Sequence, residues 1–477
     1  MLKKILQKYK DLSLPTKAAI WYTFCNFFNK GIALLTTPIF TRILTEEQYG
    51  TFAIFQSWIN ILIIFTSLNI FLGGYMKGLL KYKGDENSFT SSQLGLIILI
   101  TFFFFTIYLL NIDLWTRIFD LSPAIMIGMF IELLAMPILE LWLARQRFDY
   151  KYKKVILITI LMNIFCIAVS IISILNTDFK LEARVFSDAI VKFLFTLPLL
   201  VLIFMKGNTF FNKEYWKYAL VFNIPLIPHY LSNYVLTQSD RIMIGKMVGN
   251  EQAAYYSVAY TISTIIVLLI TAINNSLTPY IYKSIDDKTY TKISTKIKPI
   301  IILVAISVVA TMIFTPEIIY IFAGSNYLDA IYIIPPVAAS VFFIFIYSLF
   351  VNVEYFYQKN VIIAISTTIS ACLNIVLNLF CIKRYGYYAA GYTTIICYLC
   401  LSMCHYIAYK NLVKKNLKDV KSIYDIKTIL ICSIFVLVMM IVLSFTYKLY
   451  LIRYIILLLI ILIGIIIYKR DFKKGVK

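Results

Sequence analysis

Charge is scarce in this chain. Only 14% of its 477 residues are Asp, Glu, Lys or Arg, against 61% hydrophobic and 16% aromatic, whereas roughly a quarter of the residues of soluble chains are charged. A soluble globular protein is thereby excluded, and the chain reads as an integral membrane protein. Long polar connections are also missing; each falls well short of the roughly 50 residues of the smallest domains, which leaves no room for a soluble catalytic or nucleotide-binding domain. No G-x-x-x-x-G-K-[ST] loop occurs, so ATP is not bound in the usual way. No cofactor is called for. The eight cysteines all fall in or beside apolar runs, which excludes a disulfide framework. Cys397, Cys400 and Cys404 have helical spacing with His405, but no acidic group stands near them in sequence. Small side chains on a packed helix face account for them, and no metal is expected. The basic N-terminus leads into an apolar run over 18–44. That run is longer than a signal-peptide core and has no small-x-small cleavage site after it, so it is expected to stay as a first membrane helix.

What the chain has in abundance is helix-length apolar sequence. A helix needs about 20 residues to cross about 30 Å of hydrocarbon. Runs of that kind fall at 17–42, 48–74, 91–111, 121–143, 155–175, 182–204, 216–241, 252–281, 299–322, 328–357, 360–382, 387–409, 427–447 and 451–468. The expected fold is all-α, with about fourteen transmembrane helices. Lys and Arg total 45 against 24 acidic residues, a formal net charge of +21. In a soluble protein such a balance would suggest nucleic acid; here position decides, and no nucleic-acid partner is expected. With the N-terminus inside and the cations near span ends, Arg184 among them, counted with the adjoining connections, the inner connections hold the large majority, and Lys30 and Lys192 are the two left at depth. The basic excess is therefore chiefly a topology signal, with both termini cytoplasmic. It also sets connections such as 145–154 and 410–427 against anionic membrane lipids, at about 1 kcal/mol per cation near the surface.

The segment 222–260 organises the chain. Pro225 and Pro228 stand one turn apart in an apolar run, beside His229, Ser232 and Asn233. Hydrocarbon alone does not accommodate such polar groups cheaply. A constant shift lays 249–258 over 45–54, Asn233 over Asn29 and Lys246 over Arg42. Both copies run from a long apolar helix through a short polar turn to a second helix, as in an internally duplicated transporter whose site lies between its halves. The expected organisation is two pseudo-symmetric six-helix bundles, 1–204 and 216–410, joined by a cytoplasmic connection at 205–215. Two additional helices and a basic tail follow at 411–477.

Ionisable side chains at membrane depth mark functional sites by default. Lys30, Glu132, Asp188, Lys192 and His229 qualify. Asn26, Asn29 and Lys30 share one helix face near mid-membrane. From there the ammonium would have to reach about 15 Å to a headgroup, beyond its stem, so this face is expected to line a cavity. Asp188 and Lys192 stand at i and i+4, the acid first, either as a self-satisfied pair or as a coupling site. Glu132 has no partner within a turn on its own helix and must be neutral, hydrated or paired across helices. His229 either titrates near neutral pH or fills the proline kink as a hydrogen-bonded neutral ring. Asp240 and Arg241 read as a salt bridge at the outer rim. The 36 Tyr and 36 Phe form interfacial belts, and aromatics inside a cavity would suit sugar rings.

Three stretches resemble one family. They are Leu34-Leu35-Thr36-Thr37-Pro38-Ile39-Phe40-Thr41-Arg42-Ile43-Leu44-Thr45 running on to Glu46-Glu47-Gln48-Tyr49-Gly50; Asn223-Ile224-Pro225-Leu226-Ile227-Pro228-His229 with Ser239-Asp240-Arg241-Ile242-Met243-Ile244-Gly245; and Tyr385-Gly386-Tyr387-Tyr388-Ala389-Ala390-Gly391-Tyr392. Together they resemble the Wzx-type polysaccharide flippases of the multidrug/oligosaccharidyl-lipid/polysaccharide exporter superfamily, over the whole length. The resemblance implies a transporter and not an enzyme, in a bacterial inner (plasma) membrane. Its implied cargo is an undecaprenyl-pyrophosphate-linked oligosaccharide, moved to the outer leaflet by alternating access for O-antigen and lipopolysaccharide, capsule or other surface polysaccharide. Polysaccharide polymerase and chain-length machinery are the implied partners. On this reading Lys30, Asn26, Asn29, Asn233, His229, Arg42 and Arg241 meet the substrate, and Asp188, Lys192 and Glu132 are candidates for ion coupling. The chain departs from the family in offering few cations at depth, with Arg42, Arg241 and Lys246 only at the outer rim.

Competing readings are a cation-coupled drug exporter of the same superfamily, a flippase for peptidoglycan precursors, and a membrane polymerase or glycosyltransferase. The last of these should carry a sizeable outer loop, which the chain lacks. The basic asymmetry predicts that a cysteine placed in the 410–427 connection is shielded from impermeant thiol reagents in intact cells and labelled after lysis. Labelling from outside would invert the topology.

Overall fold

The chain is all-α in the computed structural model, which describes residues 11–417, 420–459 and 462, and only the backbone of Asn26, Lys30 and Ala33. Helix α1 (Leu14–Ile43) starts on Ser13, whose hydroxyl accepts the amide of Thr16, with Pro15 in the first turn. There the missing N–H costs nothing. Thr45 then caps α2 (Glu46–Ser67) reciprocally. Its hydroxyl accepts the amide of Gln48 at 3.2 Å, and its own amide donates to Gln48 Oε1 at 3.1 Å. Glu46 and Glu47 add negative charge at the positive end of the helix dipole.

The chain continues through α3 (Gly73–Lys81), α4 (Glu86–Leu110), α5 (Ile112–Phe119), α6 (Pro123–Phe148), α7 (Tyr152–Leu175), α8 (Lys180–Gly207) and α9 (Lys213–Asn223). The expected break follows, as a 3-10 turn over Ile224–Leu226 that leads into α10 (Ile227–Met247). Pro225 and Pro228 can donate no backbone hydrogen bond there, and Asn223 turns its amide back onto the carbonyl of Ala219 at 2.8 Å. Next come α11 (Asn250–Ser263), α12 (Ile265–Asp286), α13 (Tyr290–Ile313), α14 (Thr315–Phe322), a 3-10 stretch over Ser325–Tyr332, α15 (Ile334–Phe356), α16 (Asn360–Tyr385), α17 (Tyr388–Asn416), α18 (Ile426–Thr446) and α19 (Tyr450–Leu459).

Among the described residues 11 segments are long and apolar enough to cross a membrane. The other three expected spans are α1, where Asn26, Asn29 and Lys30 interrupt the apolar run, the proline-broken α9–α10 pair, and the last span, 451–468, of which 460, 461 and 463–468 lie outside the described residues.

The chain divides into two compact units, Met1–Ala254 and Tyr255–Lys477. The first includes α9, α10 and the opening turn of α11, because α10 lies along α2. Ser57 on α2 donates to Gln238 Oε1 on α10 at 3.2 Å. The starts of the two repeat copies meet here as well. A Cβ on Gly50 would lie 1.7 Å from the carbonyl oxygen of Asn250, and the Asn250 amide donates to Thr51 Oγ1 at 3.1 Å. Only glycine permits that approach.

In the second unit α15 is the most enclosed helix, with every residue from Ile334 to Phe343 buried. Beside it, Gly391 of α17 sits so close to Pro336 that a Cβ would lie 2.9 Å from the proline ring. Asp425 caps α18 through the amide and hydroxyl of Thr428 and pairs with Lys298 at 3.3 Å. Burial alone would raise its pKa, but the Thr428 and Lys298 hydrogen bonds outweigh that and hold the carboxyl below the usual carboxylate range. Arg453 of α19 grips Glu317 of α14 bidentately at 2.8 and 2.9 Å.

Gly50→Ala is expected to cost about 1–3 kcal/mol by overpacking, seen as a lower unfolding temperature in detergent. Gly31→Ala, where a Cβ would meet nothing within 4 Å, should be neutral or stabilising by up to about 1 kcal/mol. Equal behaviour of the two variants would remove the close approach as an explanation.

Candidate functional site

Helices α1, α6, α7 and α8 of the first unit enclose a cavity of about 300 Å³. Its polar lining comes from Tyr22 and Asn29 on α1, Glu140 and Arg147 on α6, Thr159 and Asn163 on α7, and Lys192 and Thr196 on α8. Asn29 accepts a hydrogen bond from Asn163 Nδ2 at 2.8 Å. Arg147 approaches Glu140 at 3.9 Å, both partly exposed. The backbone of Asn26 and Lys30 continues the helix that carries Asn29; their side chains lie outside the described residues.

Behind the cavity runs a ladder of charge along α8. Arg184, Asp188 and Lys192 follow one another at four-residue spacing, so all three stand on one helix face. The sequence suggested a pair between Asp188 and Lys192, and the structure corrects it. Asp188 Oδ1 lies 2.5 Å from Arg184 Nη1, and Lys192 Nζ lies 2.5 Å from Glu132 Oε2 on α6.

The reasons are in the neighbouring helices. Gly128, one turn before Glu132, lets α8 come close, since a Cβ there would lie 2.5 Å from Val185 Cγ1. That approach brings Glu132, 0% exposed, within reach of Lys192. Arg184 is meanwhile claimed from three other helices. Its guanidinium lies over the rings of Phe40 (4.0 Å) on α1 and Phe52 (4.5 Å) on α2, and it donates to Ser170 Oγ (2.8 Å) on α7. Ser170 in turn donates to Asp188 at 3.2 Å. Of the three arrangements open to Glu132 in the sequence, pairing across helices is the one found. Two cations and two carboxylates leave the ladder close to neutral.

The remaining sequence candidates lie on α10 and at the end of α1. His229 is half-buried in the first turn of α10, and its carbonyl accepts the amide of Asn233 at 3.0 Å. Arg241 is buried and donates to the Thr237 carbonyl at 2.8 Å and to Gln238 Oε1 at 3.1 Å; Asp240 beside it is fully buried. Arg42 donates to the carbonyl of Pro38 at 2.6 Å, and Lys246 to that of Ile118. Of the predicted residues, Asn29 and Lys192 therefore line the cavity and Glu132 stands behind Lys192. Arg42, His229, Asn233 and Arg241 are not among its lining residues.

Sequence reasoning missed Arg184, at the edge of the run over 182–204, and a further buried pair in the other unit. There Glu354 of α15 contacts His405 Nδ1 of α17 at 2.9 Å, both 0% exposed, and Tyr347 stacks on the imidazole at 5.7 Å. The signal was available in both cases, as an ionisable residue inside or at the edge of an apolar run.

The sequence profile of the family described as "Polysaccharide biosynthesis protein" matches residues 16–285. "Lsg locus putative protein 1" of Haemophilus influenzae is 31% identical over 71 residues, covering 15% of this chain and 18% of that protein's own length. Among solved structures, "Lipid II flippase MurJ, inward closed conformation" superposes with a TM-score of 0.68 at 17% identity, over 95% of this chain and 99% of that one. An inward-facing multidrug resistance MATE family transporter of the MOP superfamily superposes at 0.66 and 12% identity, over 82% of this chain and 96% of that one. At these identities the likeness is one of fold.

The cross-helix pair predicts a specific double-mutant pattern. Lys192→Met leaves the Glu132 carboxylate buried without a cation and should cost about 3–5 kcal/mol, read as loss of thermal stability in detergent. Glu132→Gln combined with Lys192→Met should recover part of that loss, whereas Asp188→Asn combined with Lys192→Met should not. A Glu132/Lys192 double variant no better than the worse single one would show the two groups to be uncoupled.

Proposed function

Because the chain belongs to the polysaccharide biosynthesis protein family, we propose that it is a flippase rather than an enzyme. On this reading it carries an undecaprenyl-pyrophosphate-linked oligosaccharide from the cytoplasmic to the outer leaflet of a bacterial plasma membrane, for O-antigen, capsule or another surface polysaccharide. The observation that carries the reading is the cavity of about 300 Å³ among long apolar helices, lined by paired amides and by cations. A lipid-facing bundle has no use for such a lining, because polar groups in hydrocarbon are costly. The helical repeat supports alternating access between halves that divide at 205–215.

Lys30 is the proposed first contact of the pyrophosphate, one residue along α1 from Asn29, whose amide lines the cavity. Lys192 is the second. It is already held by Glu132, so an anionic group that takes Lys192 leaves a carboxylate in a dry site, where it must acquire a proton or another cation. Glu132 is therefore the point at which a coupling ion would enter the cycle. The likeness to a multidrug transporter keeps a drug exporter as the second reading. It requires cells lacking the chain to gain drug sensitivity while keeping their surface polymer.

Cells whose own copy is deleted should lose surface polysaccharide and accumulate lipid-linked repeat units. Lys30→Arg should restore part of the polymer, because charge is kept while the point-like ammonium becomes a planar fork. Lys30→Gln and Lys30→Glu should not restore it at matched abundance in the membrane. Full export by Lys30→Gln would remove this lysine as the anchor.

A further inference from the structure

A second cleft in the first unit, of about 620 Å³, shares no lining residue with the candidate cavity. It is built at one end of four helices: the start of α4, the end of α6 with the connection after it, the start of α7 and the end of α8. Its mouth carries four cations, Arg145, Lys151, Lys154 and Lys206, against one carboxylate, Asp149. That carboxylate is already engaged, 2.7 Å from Lys151 Nζ and 3.7 Å from Arg145 Nε. Among the described residues no carboxylate pairs with Lys154 or Lys206, and Arg145 Nη1 is buried with no hydrogen-bond acceptor. Below this mouth the wall turns apolar, through Trp142, Ile158, Leu199 and Leu202.

We propose that the cleft binds the phosphate headgroup of an anionic glycerophospholipid from the surrounding leaflet, with the first part of an acyl chain along Leu199 and Leu202. Three features support this occupant together. The excess of positive charge is concentrated where the helices end, at the depth of headgroups, and basic pockets between membrane helices suit lipid phosphates. The buried guanidinium donor without a partner calls for an anionic acceptor, because an unmade hydrogen bond at a charged group is costly. The apolar wall would be of no use to a free anion, and Leu202, 46% exposed, continues it outward onto the lipid-facing side of α8. Cations at the ends of α6 and α8 also complement the helix dipoles, but that role would need neither a cleft nor the Lys151 and Lys154 contributed from the connection and α7.

The test uses the purified full chain in phosphatidylcholine nanodiscs titrated with phosphatidylglycerol, with bound lipid counted by native mass spectrometry. Each cation near an anionic surface is worth about fivefold in affinity, so Lys151→Gln, Lys154→Gln and Lys206→Gln together should weaken phosphatidylglycerol binding on the order of a hundredfold. All three side chains are exposed, so the substitutions leave the packed interior untouched. Arg at the same positions should preserve binding. Lys410→Gln, Lys414→Gln and Lys415→Gln, which remove equal charge from outside the cleft, should lower only the diffuse attraction of anionic lipid to the surface and leave the tightly bound phosphatidylglycerol counted by mass in place. Unchanged affinity in the first triple variant, or an equal loss in the second, would overturn the site. Displacement of the lipid by inorganic phosphate would overturn the lipid as its occupant.

Discussion

A polar group buried by a membrane helix gains most from a partner inside the protein, because hydrocarbon supplies none. Apolar faces give little direction to helix packing in lipid, since the acyl chains are as apolar as leucine. Register is therefore set where polar groups meet. Glu132 and Lys192 fix α6 against α8, and the Gly128 contact makes their approach possible. Arg184 ties α8 to α7 through Ser170 and to α1 and α2 through two aromatic faces. In the second unit the same rule gives Glu354 with His405 between α15 and α17. Between α12 and α15 it gives Asn274 with Ser348 and Thr278 with Asn352, each at 2.9 Å.

The same constraint separates what could be read in the sequence from what could not. Span number and helix type follow from length and hydropathy, which are properties of single segments. So does the break before α10, because Pro225 and Pro228 act locally. The choice of partner is different in kind. Asp188 has a cation at both i−4 and i+4, and nothing on α8 decides between them. The decision is made by Phe40, Phe52 and Ser170 for Arg184 and by Glu132 for Lys192, residues that come from four other helices.

The end of the first compact unit at Ala254 was hidden for a related reason. The repeat is a pattern along the chain, whereas the unit is defined by packing, and α10 packs on α2 through Gln238 and Ser57. The cavity was half legible. The polar face of α1 announced it through Asn29, but Asn163 and Arg147 complete it from helices where a single Asn or a terminal Arg attracts no notice.

The size of the cavity bears on what a flippase of this design could recognise. About 300 Å³ lies at the lower limit of pockets that hold drug-sized molecules, about 300–1,000 Å³. An oligosaccharide repeat unit exceeds that space, whereas a phosphate group with its nearest neighbours does not. The charges agree with the size, since the cations that line the cavity, Arg147 and Lys192, each already have a carboxylate partner within 4 Å. An incoming anion therefore exchanges partners with them. Such an exchange is weak in water, where two charges at 4 Å gain about 1 kcal/mol, and stronger at an effective dielectric near 20, where they gain about 4. Recognition built on partner exchange in a confined site reads the charged group that every lipid-linked substrate shares and leaves the sugars outside it. On the proposed function, sugar specificity must then be looked for on surfaces beyond this cavity, whose volume and charged lining suit a phosphate better than a sugar chain.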